Sequence, residues 1–204
     1  MSSQRKPRGP YRKGLERREQ ILRTALEVFA QQGDRGSSIQ EIADRVGLSQ
    51  TGLLHHFGSR EELLLAVLKR RDTLDTEVTE QPRSSGEAVA QTVRHNMEQP
   101  GLVKLFVALS AAATDPAHHA HGFFTDRYGD LVSLLTHGLE EGQRSGRVRD
   151  DETAEHMARL LLAVCDGLQI QWLLDPSVDM AALVETFNRM CEAAGDATSP
   201  DQVE

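Results

Sequence analysis

Apolar residues recur along this chain at spacings of three and four, the mark of helices that turn one face to a core. Ile21, Leu22, Ala25, Leu26, Val28 and Phe29 predict a first helix over 16–32, closed by Gly33. Ile39, Ile42, Ala43 and Val46 form a short second stripe, and Leu53 with Phe57, four apart, a third. Leu63, Leu64, Ala66, Val67 and Leu68 open a long fourth helix that runs from Ser59 to about Gln81, where Pro82 stops it. The rest reads as helices over about 84–99, 101–114, 117–145, 151–174 and 179–194. Breaks fall at Pro100-Gly101, Asp115-Pro116, Gly146 to Asp150 and Asp175-Pro176. No strand-like alternation and no tandem repeat interrupts this pattern, so the predicted fold class is all-α.

Residues 38–57 carry more than periodicity. Ser38 and Glu41 have the spacing of a capping box, in which two side chains satisfy each other's orphan amides at a helix start. Gly47 stands where the chain needs a left-handed residue to end that helix, a conformation glycine adopts without steric cost. Leu48 is placed to plug the corner, and Ser49 to cap the next helix. That helix buries Leu53 and Phe57 and turns Gln50, Thr51, Gly52, Leu54, His55 and His56 outward. A short helix with an apolar back and small polar residues at its front suits a DNA major groove. Ser59 and Glu62 repeat the capping-box spacing at the head of the fourth helix. The layout expected is a flexible basic arm at 1–14, a three-helix helix-turn-helix DNA-binding domain at 15–70, a larger helical body at 71–194 and a polar, frayed tail at 195–204.

Two later helices have too much apolar surface for one neighbour. In 151–174, Ala154, Met157, Ala158, Leu160, Leu161, Leu162, Val164, Cys165, Leu168, Ile170, Trp172, Leu173 and Leu174 cover more than one face. A helix apolar on two sides buries both. With Met180, Leu183, Val184, Phe187, Met190 and Cys191 on 179–194, a pair from each of two chains would form a four-helix bundle across a two-fold axis. The alternative is a monomer whose own core uses both faces.

Charge sharpens the picture. The net charge of −8 alone would argue against nucleic acid. Residues 1–71, however, carry 14 Lys and Arg against 8 Asp and Glu, while 72–204 carry 9 against 23. A basic end on an acidic body presents one end to phosphates. Arg5, Lys6, Arg8, Arg12 and Lys13, set among Pro7, Gly9, Pro10 and Gly14, read as an arm lying along the backbone or in the minor groove. Arginine outnumbers lysine 19 to 4, which points to a GC-rich bacterial gene. Cys165 and Cys191 read as buried thiols of a reducing compartment. Apolar stretches fall short of the roughly 20 residues of a membrane span, and no signal peptide is seen. A cytoplasmic protein is expected.

These residues resemble the TetR family of transcriptional regulators. The resemblance is specific over 16–70: Phe29-Ala30 and Gly33, Ile42-Ala43, Gly47-Leu48-Ser49, Leu53, His56-Phe57, and Arg60 through Leu64. The run from Cys165 to Pro176 is similar to the penultimate helix of many members. The family implies a homodimer joined by its last two helices, about 151–194. It implies two recognition helices on a near-palindromic operator, and a small-molecule effector that pushes the fourth helix and releases DNA. Gln50, Thr51 and His55 match the outward recognition positions; Gln50 is suited to adenine and the Thr51 methyl to thymine. Ser38, Ser49, Gly52 and His56 complete the DNA-facing set, with His56 equally suited to packing beside Phe57. Arg60 matches the family's basic residue at the start of the fourth helix. One departure stands out: members usually have a tyrosine, whose hydroxyl reaches a phosphate, where this chain has Leu54. Met97, Phe106, Leu109, Phe123, Tyr128 and Trp172 are candidates to line an effector cavity, with Asp166 and Gln169 as polar anchors.

Two other readings stay open on the residues alone. His118, His119 and His121, with His95 and His137, suggest a metal-binding helical protein, although no HExxH, cysteine pair or carboxylate motif accompanies them. The second is a helical interaction module that does not bind DNA. No P-loop, G-x-S-x-G elbow or G-x-G-x-x-G loop is present, so neither an enzyme nor a cofactor is expected.

Overall fold

The computed structural model describes residues 9–32, 38–78 and 84–193; among these residues there are nine helices and no strand. They are α1 (Gly9–Gln32), α2 (Ser38–Arg45), α3 (Gln50–His55), α4 (Arg60–Val78), α5 (Ser85–Met97), α6 (Pro100–Ala112), α7 (His121–Arg144), α8 (Ala154–Leu174) and α9 (Met180–Met190). The all-α class read from the spacing of apolar residues is the observed one.

The chain divides into two compact units. One takes the described residues up to Val78 together with His95–Phe124. Its core is fully buried: Ile21, Ala25, Val28 and Phe29 from α1, Ile39, Ile42 and Ala43 from α2, Leu53 from α3, and Leu63, Val67 and Leu68 from α4. Each of the larger side chains among them, alanines excepted, contributes about 1.5–3 kcal/mol by leaving water. Helix α6 belongs to this unit and packs on α1. This unit thus takes in α6, which lies beyond the boundary expected at residue 70. The sequence of α6 is apolar nearly all round, burying Leu102, Val103, Leu105, Phe106 and Leu109. Such a helix needs neighbours on several sides, and α1 supplies one.

The second unit takes described residues from Ser84 to Arg94 and onward from Thr125. Helices α8 and α9 pack together, burying Met157, Ala158, Leu161, Leu168 and Trp172 with Met180, Ala181 and Val184. Thr153 and Asp179 cap their starts, accepting from the amides of His156 at 3.2 Å and Ala182 at 3.0 Å. Asn188 donates to the Gly86 carbonyl at 2.9 Å, and Arg94 pairs with Glu185 at 2.6 Å, so α5 is tied to α9. At Gly138 a β-carbon would lie 1.8 Å from the Ser85 hydroxyl, so glycine lets α5 and α7 approach without turning that side chain aside. Gly146 ends α7 at φ +70°.

Other departures from the sequence reading have local causes. Helix α1 begins at Gly9, so residues 9–14, expected in the flexible arm, form its first turns. Pro10 is compatible because its missing N–H falls where no intrahelical partner exists. Arg12 also reaches Glu16 one turn on, at 3.2 Å. Arg5, Lys6 and Arg8 lie outside the described residues, as do the Gly33 stop, Pro82 and the tail beyond residue 193. Pro100 opens α6 rather than breaking it. Helix α7 starts at His121, not 117, because Asp115 turns the chain, accepting the Ala117 amide at 2.9 Å. Finally, α8 is a 21-residue helix containing an 18-residue stretch of mean hydropathy 1.3. By length and composition it meets the requirement for a span, against the expectation that no stretch would. Its apolar residues are shared between a buried face and an exposed stripe, and Glu155, Arg159 and Asp166 interrupt it.

Candidate nucleic-acid interface

The helix-turn-helix forms by local rules. Gly47 takes φ +67°, and the turn closes with its own amide on the Asp44 carbonyl at 3.1 Å and the Leu48 amide on Ala43 at 2.9 Å. Leu48 sits half-buried in the corner. Ser49, in extended conformation, accepts the Gly52 amide at 3.0 Å and starts α3. Leu53 is fully buried and Phe57 nearly so, anchoring the back of α3. The front is open: Gln50, Thr51 and His55 are exposed, while Gly52, Leu54 and His56 are half-buried. His56 closes the helix, its amide on Leu53 at 3.0 Å.

Beyond it, Gly58 at φ +93° redirects the chain, and Ser59 accepts the Glu62 amide at 3.1 Å to open α4. Arg60, first residue of α4, is half-buried at a helix N-terminus that favours anions. Beside it the Glu61 carboxyl is held below its usual range, first by its backbone amide, then by the Ser59 hydroxyl, with His119 and Arg60 adding to both. Arg12 and Lys13 are exposed on α1. Ser38 opens α2, its side chain outside the described set, and Glu41 accepts from Arg45 at 2.6 Å.

Two residues escaped the sequence reading. Arg17 donates to the Val46 carbonyl at 2.5 Å, and the Arg18 guanidinium lies 4.5 Å from the centre of the Phe57 ring. No periodicity marks either, because both contacts join distant parts of the sequence.

The effector candidates fall in both units. In the first, Phe106 and Leu109 are buried on α6, Met97 ends α5, and Phe123 meets Phe124 edge-on at 5.1 Å. In the second, the Tyr128 hydroxyl donates to Asp166 at 2.5 Å, and the Gln169 amide lies 3.4 Å from the other Asp166 oxygen. Burial raises the Asp166 carboxyl pKa, and burial with the Asp166 contact raises the Tyr128 phenol. Burial, with Asp166 next to it, pushes the Cys165 thiol up to about 12. Trp172 is buried in the same unit. A cavity of about 220 Å³ in the first unit is lined by Leu26, Leu74, Arg71, His95 and Gln99 among others. A groove of about 440 Å³ in the second lies along α7 and the start of α8, by Thr136, His137 and Arg159. None of the eight candidates lines either.

The histidines serve local structure. His118 accepts the Ala120 amide at 3.2 Å, His121 meets the Ala113 carbonyl at 2.9 Å, and His95 pairs with Gln99 at 2.7 Å. Among the described residues no three His, Cys, Asp or Glu side chains gather as a metal would require.

A capped short helix with an exposed polar front, following a glycine turn, defines a helix-turn-helix DNA-binding protein. Comparison with known proteins makes this specific. Residues 21–67 match the profile of bacterial regulatory proteins of the tetR family, and residues 85–195 match that of the C-terminal region of BetI-type transcriptional repressors. The chain belongs to the TetR family of transcriptional regulators. It is similar to the HTH-type transcriptional repressor AcnR of Corynebacterium diphtheriae, at 26% identity over 74% of this chain and 78% of that protein. It is also similar to the HTH-type transcriptional activator FasR of Mycolicibacterium smegmatis, at 44% identity over 33% of each. In fold it matches a transcriptional regulator from Saccharomonospora viridis solved in complex with choline, with TM-score 0.70, 24% identity, and coverage of 88% of this chain and 98% of that one. The protein is a DNA-binding transcriptional regulator and not an enzyme.

Proposed function

We propose that this regulator is a homodimeric repressor that holds a near-palindromic operator until a small-molecule effector releases it. The observation that carries the reading is the front of α3, where Gln50, Thr51 and His55 stand exposed on a helix anchored from behind by Leu53 and Phe57. Thr51 and Gln50 read base edges; Arg60, with Arg12, Lys13 and the residues before them, meets phosphates. Leu54, lacking a hydroxyl, leaves that phosphate contact to these cations.

Dimerisation is supported by a stripe on α8. Leu160, Ala163, Gly167, Ile170 and Leu174 recur at steps of three and four, and Leu160, Ile170 and Leu174 are 57%, 51% and 83% exposed. Leu183 and Met190 on α9 are exposed as well. A helix-turn-helix dimer that reads successive major grooves holds its two recognition helices about 34–36 Å apart, or a multiple of that.

Repression and effector release are supported by the repressor relatives and by the choline-bound neighbour. Tyr128, Asp166 and Gln169, joined by hydrogen bonds within the second unit, are the polar anchors we assign to the effector. An effector that binds the DNA-incompetent state better by about 1–3 kcal/mol weakens operator affinity roughly 5- to 150-fold. Because its target is chromosomal DNA, the protein works in the cytoplasm.

Fluorescence anisotropy on the intergenic DNA flanking the protein's own gene, against scrambled duplex across a salt series, tests the reading. Tight binding to the native fragment at moderate salt is expected. Equal, salt-sensitive binding to both duplexes would reject sequence-specific repression at that promoter.

A further inference from the structure

We propose that Arg17 and Arg18, consecutive on α1, are positioning residues that fix both ends of the recognition helix and are not phosphate ligands. The inference rests on α3 being the element that meets DNA. Helix α2 ends in a glycine turn that satisfies the carbonyls of Ala43 and Asp44 through the amides of Leu48 and Gly47. The Val46 carbonyl lies just past the last residue of α2, at the negative end of its dipole. Arg17 donates its Nη2 to this carbonyl and its Nη1 to Gln20 at 2.7 Å, one turn along α1. Both terminal nitrogens are thus engaged within the protein. A charged donor on a half-buried carbonyl is a strong bond, less screened by salt than a surface pair.

Arg18, about 100° further round the helix, places its guanidinium over the Phe57 ring. Phe57 follows the closing residue of α3 and is itself almost fully buried. One arginine therefore holds the turn that enters α3 and the next holds the ring that leaves it. Two charges of the basic N-terminal third are directed at the angle of α3, not at the DNA backbone.

The two roles separate by their salt dependence. Each phosphate ligand removed flattens the slope of log affinity against log salt by about one, whereas a lost positioning contact leaves that slope in place. The probe is a duplex selected from random sequence by the wild-type protein, compared with scrambled DNA. Arg17→Ala is expected to lower the ratio of specific to scrambled affinity about tenfold with an unchanged slope. Arg17→Lys, which keeps a charged donor, recovers most of the ratio. Arg18→Ala costs about two- to fivefold, also without a change of slope. Amide exchange at Gly47 and Leu48 should quicken in Arg17→Ala, a readout that needs no DNA.

Equal losses on both duplexes with a slope shallower by about one would make Arg17 a phosphate ligand and overturn the proposal. Unchanged specificity would overturn it too, as would a loss that Arg17→Lys fails to recover. If Arg17→Ala loses helix content, Arg17→Lys and the exchange of the turn decide alone. Failure of the wild-type protein to select any sequence would reject the DNA-reading role of α3 itself, separately from the fate of the variants.

Discussion

The front of α3 and the outer stripe of α8 and α9 are both exposed in a single chain, yet they are composed differently. The α3 front presents Gln50, Thr51 and His55, side chains at ease in water that keep hydrogen bonds available for base edges. The α8 stripe presents Leu160, Ile170 and Leu174, which gain only when another apolar surface covers them. The difference teaches what each face asks of a partner. A DNA reader must stay soluble while empty and exchange water for bases on binding. The proposed dimer seam has no reason to be empty, and its composition is that of a core cut in half.

Substituting both Ile170 and Leu174 with Asp breaks the comparison most severely. In the proposed dimer four apolar side chains leave the seam across the two protomers, at about 1.5–3 kcal/mol each. Sedimentation at micromolar protein should show a monomer with native helix content, and a persistent dimer would mean that the stripe is not the seam. Leu53→Ala acts on the other face. The side chain is fully buried behind α3, and its loss should cost about 2–5 kcal/mol in urea unfolding of the head, with DNA binding lost and the dimer kept. Joint loss of dimer and head would show that the two faces are not independent. Gly47→Ala is milder. It forces a β-carbon into φ +67°, where open space surrounds it, so only backbone strain of about 1–2 kcal/mol is felt.

Much of the helix-turn-helix was legible because its signals are local. A left-handed glycine, a serine cap and a three-four stripe each act within one turn, and Gly47, Ser49, Leu53 and Ser59 all behave as their spacing predicts. Composition misled where position mattered more. Pro10 and Gly14 suggested a flexible arm, yet Pro10 is tolerated in the first turn of α1. The membership of α6 in the first unit was hidden, since a helix apolar all round does not announce its neighbour. The eight effector candidates come from α5 to α8, and periodicity alone does not tell a cavity wall from plain core. Arg17 and Val46 lie 29 residues apart, so no local pattern links them.

The most direct test of the account is the affinity of Thr51→Ala and Arg60→Ala for a selected duplex and for scrambled DNA across a salt series. The account predicts that Thr51→Ala lowers the specific-to-scrambled ratio by about 1–3 kcal/mol with the salt slope intact. It predicts that Arg60→Ala weakens both duplexes alike and flattens the slope by about one. Equal losses on both duplexes for both variants would contradict the assignment of α3 as the element that reads sequence.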